Sequence, residues 1–210
     1  MPYPTPDDHR EQLGFLTVQA TAALAAHGVK ILDPHSTLVS ARAELAAEVL
    51  LYPNVLVRCD AESRITIGAG SVLYPGTVLI AEGGGEIGIG VRCQLGPGGA
   101  QVKANQAGAR IRLGDGVRLV NGAEVVGTSD LGDGSLVLGP VSAQSVRLGG
   151  GLGGNDWPEP DERGAVLKGS GLARGIELER GQVLNLTPSF ADAPVEWQSA
   201  YHSRPGQAGR

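Results

Sequence analysis

The reading of the fold starts from Leu113-Gly114-Asp115-Gly116-Val117-Arg118-Leu119-Val120-Asn121-Gly122-Ala123-Glu124-Val125 and its continuation to Leu131 and Val137. Leu113, Leu119, Val125, Leu131 and Val137 recur at every sixth position. That period matches neither the ~3.6 residues of a helical turn nor the ~2 of an extended strand. A strand of four or five residues followed by a tight corner does satisfy it, and three such sides close a triangular coil of about 18 residues. Successive coils stack at about 4.8 Å, strand over strand, around a narrow column that takes one aliphatic side chain per side.

The same grid extends upstream to Val39, Leu45, Leu51 and Val57, and to Ile67, Leu73 and Leu79. Gly follows the aliphatic at Ile67-Gly68, Ile87-Gly88, Leu113-Gly114 and Leu131-Gly132, with a second Gly at Gly70, Gly90, Gly116 and Gly134. Corners need positive φ or close backbone approach, which Gly supplies at least cost. Composition agrees: 210 residues include 33 Gly but only 2 Trp, 4 Tyr and 2 Phe, because large rings do not fit a narrow column. Gly and Pro together stay below the share typical of disordered sequence, and no Gly-X-Y period suggests collagen. The departures from the grid are insertions at 59–64, 82–86 and 103–108, which are expected to leave the stack at corners, where solenoids tend to place function.

Ahead of the repeats, Thr5 is placed to N-cap a helix, with Pro6 at its first position, Asp7 and Asp8 in its first turn and Gly28 as its stop. Leu13, Leu16, Ala20 and Leu24 share one face of that helix at helical spacing. Behind the repeats, the run Gly149-Gly150-Gly151-Leu152-Gly153-Gly154 and an acidic linker at 155–163 lead to short strands around Gly175 and Gly181 and a polar tail. The chain therefore divides into a helix and linker at 1–37, a repeat body at 38–154 and a C-terminal extension at 155–210. The fold expected is mainly β, a parallel β-helix of about six coils over 38–150, with the two terminal segments as caps for its open ends.

Net charge of −5 and scattered basic residues argue against a duplex nucleic-acid surface. Cys59 and Cys93 fit no zinc motif and read as small buried thiols. The four His are His9, His27, His35 and His202, so the coils offer no metal set. No signal-like N-terminus or long apolar run is present, which predicts a cytoplasmic protein without a membrane segment. Trp157 and Trp197 are expected to pack the C-terminal segment onto the stack or a neighbouring subunit, and His202 to lie exposed in the tail.

The hexads resemble those of the hexapeptide-repeat acyltransferases. Asp8-His9-Arg10-Glu11-Gln12-Leu13 and Ala25-Ala26-His27-Gly28-Val29-Lys30-Ile31-Leu32-Asp33-Pro34-His35-Ser36-Thr37 look like the linker helix and first coil of the bifunctional N-acetylglucosamine-1-phosphate uridyltransferase/glucosamine-1-phosphate acetyltransferases. The resemblance covers about residues 8 to 140 and does not extend to the uridyltransferase domain of that family. It implies a left-handed β-helix, a homotrimer, acetyl-CoA as cosubstrate and a sugar phosphate or acyl-CoA as ligand, within sugar-nucleotide metabolism. In that family a His deprotonates the substrate amine, Lys and Arg hold the sugar phosphate, and acetyl-CoA lies in a cleft between subunits. Ser129-Asp130-Leu131-Gly132-Asp133-Gly134-Ser135 matches the stretch before that His, and the His position falls on Gly139. The lysine pair falls near Val120 and Asn121 and the substrate Arg near Val102 and Lys103, where only Lys103 is basic. Losing a general base removes a contribution of ~10²–10⁴ in rate, so no catalytic residue is assigned.

The candidate ligand-binding residues are Lys103, Asn105, Arg110, Arg112, Arg118 and Asn121. Lys103 and Asn105 belong to the longest insertion, which is either a substrate loop or a solvated one. Arg110, Arg112 and Arg118 make either a phosphate patch across neighbouring coils or outward charges that blunt a β-surface. Asn121-Gly122 either reaches a ligand or simply turns a corner. Two functions remain open: a stand-alone, divergent acyltransferase-like protein, or a non-catalytic trimeric scaffold that kept the fold.

Overall fold

The computed structural model describes residues 3–152 and 159–186. Trp157, Trp197 and His202 lie outside the described residues. The described chain is a left-handed parallel β-helix with two short helices at its start. Its strands form three parallel sheets of eight, seven and seven strands, and each strand pairs with the strand three positions further along the chain.

The grid residues make the core. On the first sheet Leu51, Leu73, Leu95, Leu119 and Val137 stand in register, one above the next. Val39, Val57, Leu79, Val102 and Val125 do so on the second sheet. Leu45, Ile67, Ile89, Leu113 and Leu131 do so on the third. All twelve aliphatics of the period-six grid fall in these three columns. Leu51, Leu73, Leu79, Leu119 and Leu131 have no exposed surface, and each such side chain contributes about 1.5–3 kcal/mol of burial. Cys59 and Cys93 are buried free thiols within the same core, as expected.

One corner shows why the aliphatic is followed by Gly. A Cβ on Gly68 would stand 2.5 Å from the carbonyl carbon of Gly90, and one on Gly90 would stand 2.7 Å from that of Gly114. The coils touch backbone to backbone there. The register also corrects one unit of the repeat: Ile67 pairs with Ile89, so the corner of that coil is Ile89-Gly90 and not Ile87-Gly88. Gly88 lies within the strand Glu86–Ile89, and the left-handed corner position belongs to Arg92 at φ 53°.

The insertions at 59–64, 82–86 and 103–108 all fall between the second and third sheets, where they stack into one ridge. Asp60 Oδ2 accepts from the Gly83 N–H at 2.8 Å, Ser63 Oγ from the Gly85 N–H at 3.1 Å, and the Gly83 carbonyl from the Gly108 N–H at 3.2 Å. The Ser63 hydroxyl and the Gly83 amide hold the Asp60 carboxyl below the usual range.

The expected single N-terminal helix divides in two. Thr5 caps α1 (Pro6–Gln12) through the Asp8 N–H, but the helix ends before Gly14, whose φ is 78°. Thr17 then caps α2 (Val18–Ala23), and a single 3₁₀ segment runs to the stop at Gly28. The break has a structural cause: residues 14–16 lie along the edge of the second sheet, with Phe15 bridged to Ser40 and the Leu16 N–H donating to the Val39 carbonyl at 2.9 Å. Leu16 and Leu24 pack on the core while Leu13 is left 69% exposed. This segment closes the N-terminal end of the stack.

Beyond 165 the short strands Val166–Gly169, Gly171–Arg174, Glu177–Leu178 and Val183–Leu186 add to the same three sheets.

Candidate functional site

Strand residues that do not face the column face outward, and the three sheets differ sharply in what they present. The third sheet is charged. Arg64 pairs with Glu44 at 3.0 Å, Arg110 with Glu86 at 3.4 Å and Arg112 with Asp130 at 3.0 Å. Asp130 also stands in register with Arg147, and Arg147 with Glu177, so charge alternates along the stack. Arg110, Arg112 and Arg147 with Thr128, Asp130 and Glu177 line an open concavity of about 280 Å³. Its three guanidinium groups are offset by Glu86, Asp130 and Glu177, so its field for an anion is weak. Exposed pairs of this kind add little stability in water.

The second sheet carries a partly buried polar network. Lys103 does not belong to the insertion loop: it sits on the strand Ala100–Ala104. Its Nζ donates to Glu124 Oε1 at 2.9 Å, and Ser142 Oγ donates to Glu124 Oε2 at 2.7 Å. The Lys103 and Glu124 side chains are 27% and 28% exposed. The Lys103 hydrogen bond, helped by Ser142, holds the Glu124 carboxyl below the usual glutamate range against the opposing effect of burial. Because the folded state favours the carboxylate, the stabilisation is complete above the unfolded value near ~4.3 and fades as pH falls through the folded value. Glu124→Gln is therefore expected to flatten the acid limb of a Tm-against-pH profile in the window below about pH 5. A variant profile parallel to that of the parent across this window refutes the assignment.

The remaining candidates are dispersed. Asn105 is exposed at the start of the corner 105–109, next to Lys103. Arg118 is exposed on the strand Arg118–Val120 of the first sheet, so it does not join Arg110 and Arg112, which share the third. Asn121 turns the corner between the first and second sheets at φ 58°. The structure thus groups Arg110 with Arg112 and brings Lys103 close to Asn105, but it does not gather all six residues around one centre. At the presumed base position, Gly139 has φ 104°, and a Cβ there would stand 2.2 Å from the Gly169 carbonyl oxygen.

Acid–base candidates are equally few. Burial pushes the Cys93 thiol up to about 11 and raises that of Cys59 as well, so neither is a nucleophile at neutral pH. Among the described residues no group of His, Cys, Asp or Glu is arranged to hold a metal ion, and no helix is long and apolar enough to cross a membrane.

The edge shared by the first and second sheets is where side chains lack polar partners. Leu50 and Val72 point outward on the first sheet, and Leu56, Val78 and Ile80 on the second, all half-buried. Tyr52 and Tyr74 follow Leu51 and Leu73 at the adjoining corner and stack with ring centroids 5.1 Å apart and planes 19° from parallel. The sequence holds a signal for this surface that the grid alone hides. The residue before each grid aliphatic faces outward, and it is itself aliphatic in Leu38-Val39, Leu50-Leu51, Leu56-Val57, Val72-Leu73 and Val78-Leu79. The corresponding third-sheet pairs are Glu44-Leu45, Thr66-Ile67, Arg112-Leu113 and Asp130-Leu131.

No family model matches the chain, and no curated protein matches it.

Proposed function

We propose that the chain is a non-catalytic β-helix module that assembles as a homotrimer through the apolar edge between its first and second sheets. The observation that carries this reading is the contrast between faces. Outward positions of the third sheet are charged and paired with one another, whereas in the early coils those of the first and second sheets carry the half-buried aliphatics Leu50, Leu56, Val72, Val78 and Ile80 and a stacked tyrosine pair. A contiguous apolar surface of this kind on a sheet is what an interaction site requires. The number of copies rests on the resemblance to hexapeptide-repeat proteins. The dispersal of the candidate ligand residues and the Gly at the position of the base both argue against acetyl transfer.

Sedimentation equilibrium of the full chain tests it. The expected mass is three times the 21.5 kDa of one chain. Val72→Glu combined with Val78→Glu places unpaired carboxylates at the centre of the proposed interface and is expected to yield a folded 21.5 kDa monomer. A parent protein that is already monomeric at micromolar concentration, or a double variant that stays trimeric, sinks the proposal.

A second reading is favoured by the stretch from Ala25 to Thr37, which resembles the linker of the sugar-nucleotide acetyltransferases. It makes the protein a divergent acyltransferase-like binder of acetyl-CoA or a sugar phosphate, with Lys103 and Asn105 at the ligand. Micromolar binding in calorimetry, weakened by Lys103→Ala, supports that reading. A trimer that gives no heat with either ligand excludes it.

A further inference from the structure

The corner that leads from the first sheet to the second holds the one Asn-Gly pair of the chain: of five Asn residues only Asn121 precedes a Gly. A Gly nitrogen has no Cβ beside it, so it can approach the preceding Asn side chain with less hindrance than the nitrogen of any other residue. Asn121 and Gly122 are both exposed to water. The coil nevertheless holds the pair in one conformation, with φ 58° at Asn121 and 84° at Gly122. The Asn121 N–H donates to the Pro97 carbonyl at 2.8 Å and the Gly122 N–H to the Gly99 carbonyl at 3.0 Å. The side-chain amide lies over Gly98, where a Cβ would stand 3.1 Å from Asn121 Oδ1. Asn54 turns the same corner in an earlier coil at φ 62°, but Val55 follows it.

We propose that Asn121 is the chain's site of spontaneous deamidation and that the closed corner suppresses the reaction, so that conversion at Asn121 records the opening of this coil. The nucleophile is the Gly122 nitrogen. Hydroxide takes its proton, the nitrogen bonds to Asn121 Cγ and the Cγ–Nδ2 bond breaks. Nδ2 leaves as ammonia with a proton from water, which regenerates the hydroxide. One water then opens the five-membered imide. Cleavage of the imide nitrogen from Cγ leaves aspartate, and cleavage from the Asn121 backbone carbonyl carbon leaves isoaspartate, with Cβ and Cγ in the main chain. Attack requires the Gly122 N–H to leave the Gly99 carbonyl and its peptide plane to turn toward the Asn121 side chain, so the reaction waits on local opening. Isoaspartate lengthens the main chain at a corner stacked between Pro97-Gly98-Gly99 and Gly139-Pro140, and the coil cannot reclose in its old register.

Peptide mass spectrometry of the full chain at mildly alkaline pH, folded and in denaturant, reads the conversion. The expected rate at Asn121 is at least about tenfold lower in the folded chain, with Asn54 at least about tenfold slower than Asn121 in denaturant. Gly98→Ala puts a Cβ 3.0 Å from Asn121 Cα and is expected to raise the folded rate while leaving the denatured rate unchanged. Should that variant not fold, the parent in sub-denaturing denaturant replaces it: the rate is expected to rise in step with amide exchange at Gly122. Equal folded and denatured rates overturn the proposal, as does a folded Gly98→Ala protein that keeps the parent's rate. Conversion of Asn54 as fast as Asn121 in denaturant also overturns it. So does a folded rate that rises when the protein is diluted to single chains, because the protection then belongs to a contact between subunits and not to the ladder.

Discussion

Gly139→His lowers stability by about 4 kcal/mol and creates no acetyltransferase. The substitution restores the residue type that the resemblance places at this position, but the backbone there rejects any side chain. A φ of 104° is costly for an L-residue, and a Cβ 2.2 Å from the Gly169 oxygen requires the next coil to move. Left-handed strain contributes about 1–3 kcal/mol and overpacking about 1–3 kcal/mol more. For a domain of this size the sum corresponds to a Tm lower by roughly 8–16 °C. Gly76→Ala is the control: its φ is 77°, but the space around it is open, so only the conformational cost of about 1–2 kcal/mol applies. A Gly139→His protein with an unchanged melting curve and measurable acetyl transfer would falsify both the corner geometry and the proposed non-catalytic role.

Leu79→Ala is expected to cost about 2–5 kcal/mol by denaturant unfolding, the range for a leucine removed from a core that cannot collapse around the gap. Leu79 has no exposed surface and is fixed in register between Val57 below and Val102 above, each on its own hydrogen-bonded strand. The coils cannot close the space by sliding, because a shift of one residue would turn a whole strand inside out. Leu13→Ala, at a side chain 69% exposed, is expected to change stability by less than about 0.5 kcal/mol. Equal losses at the two positions would mean that the columns are not the main source of stability.

The grid was legible in the sequence because the core demands one residue class at one spacing, and insertions reset the count without changing the class. The partners of the outward residues were not. Lys103 finds Glu124 21 positions away, Arg112 finds Asp130 at 18 and Arg64 finds Glu44 at 20. Such pairs are readable only after every corner insertion has been placed, so Lys103 was expected in a loop when it belongs to a strand. The same ambiguity put the corner of one coil at Ile87-Gly88, since Ile87 and Ile89 both face inward and both precede a Gly. Grouping Arg118 with Arg110 and Arg112 failed for a different reason: a few residues of sequence carry the chain around a corner onto another face. The break at Gly14 was hidden because helical spacing continues across it, and the competing strand edge at Ser40 is a tertiary feature.

The backbone contact at the Gly column has a consequence for how such a chain can change over generations. The corners at Gly114 and Gly132 lie one coil apart and are nearly interchangeable in sequence, Leu-Gly-Asp-Gly at both. Copying the segment between them adds a storey whose floor and ceiling already match their new neighbours. Deleting three or four residues from the same segment leaves no surface that fits. The length of the protein is therefore free to change in whole coils and nearly frozen in between, except at the corners where extra residues already leave the stack, the ridge of insertions and the turn from Leu148 of the third sheet to Val166 of the first.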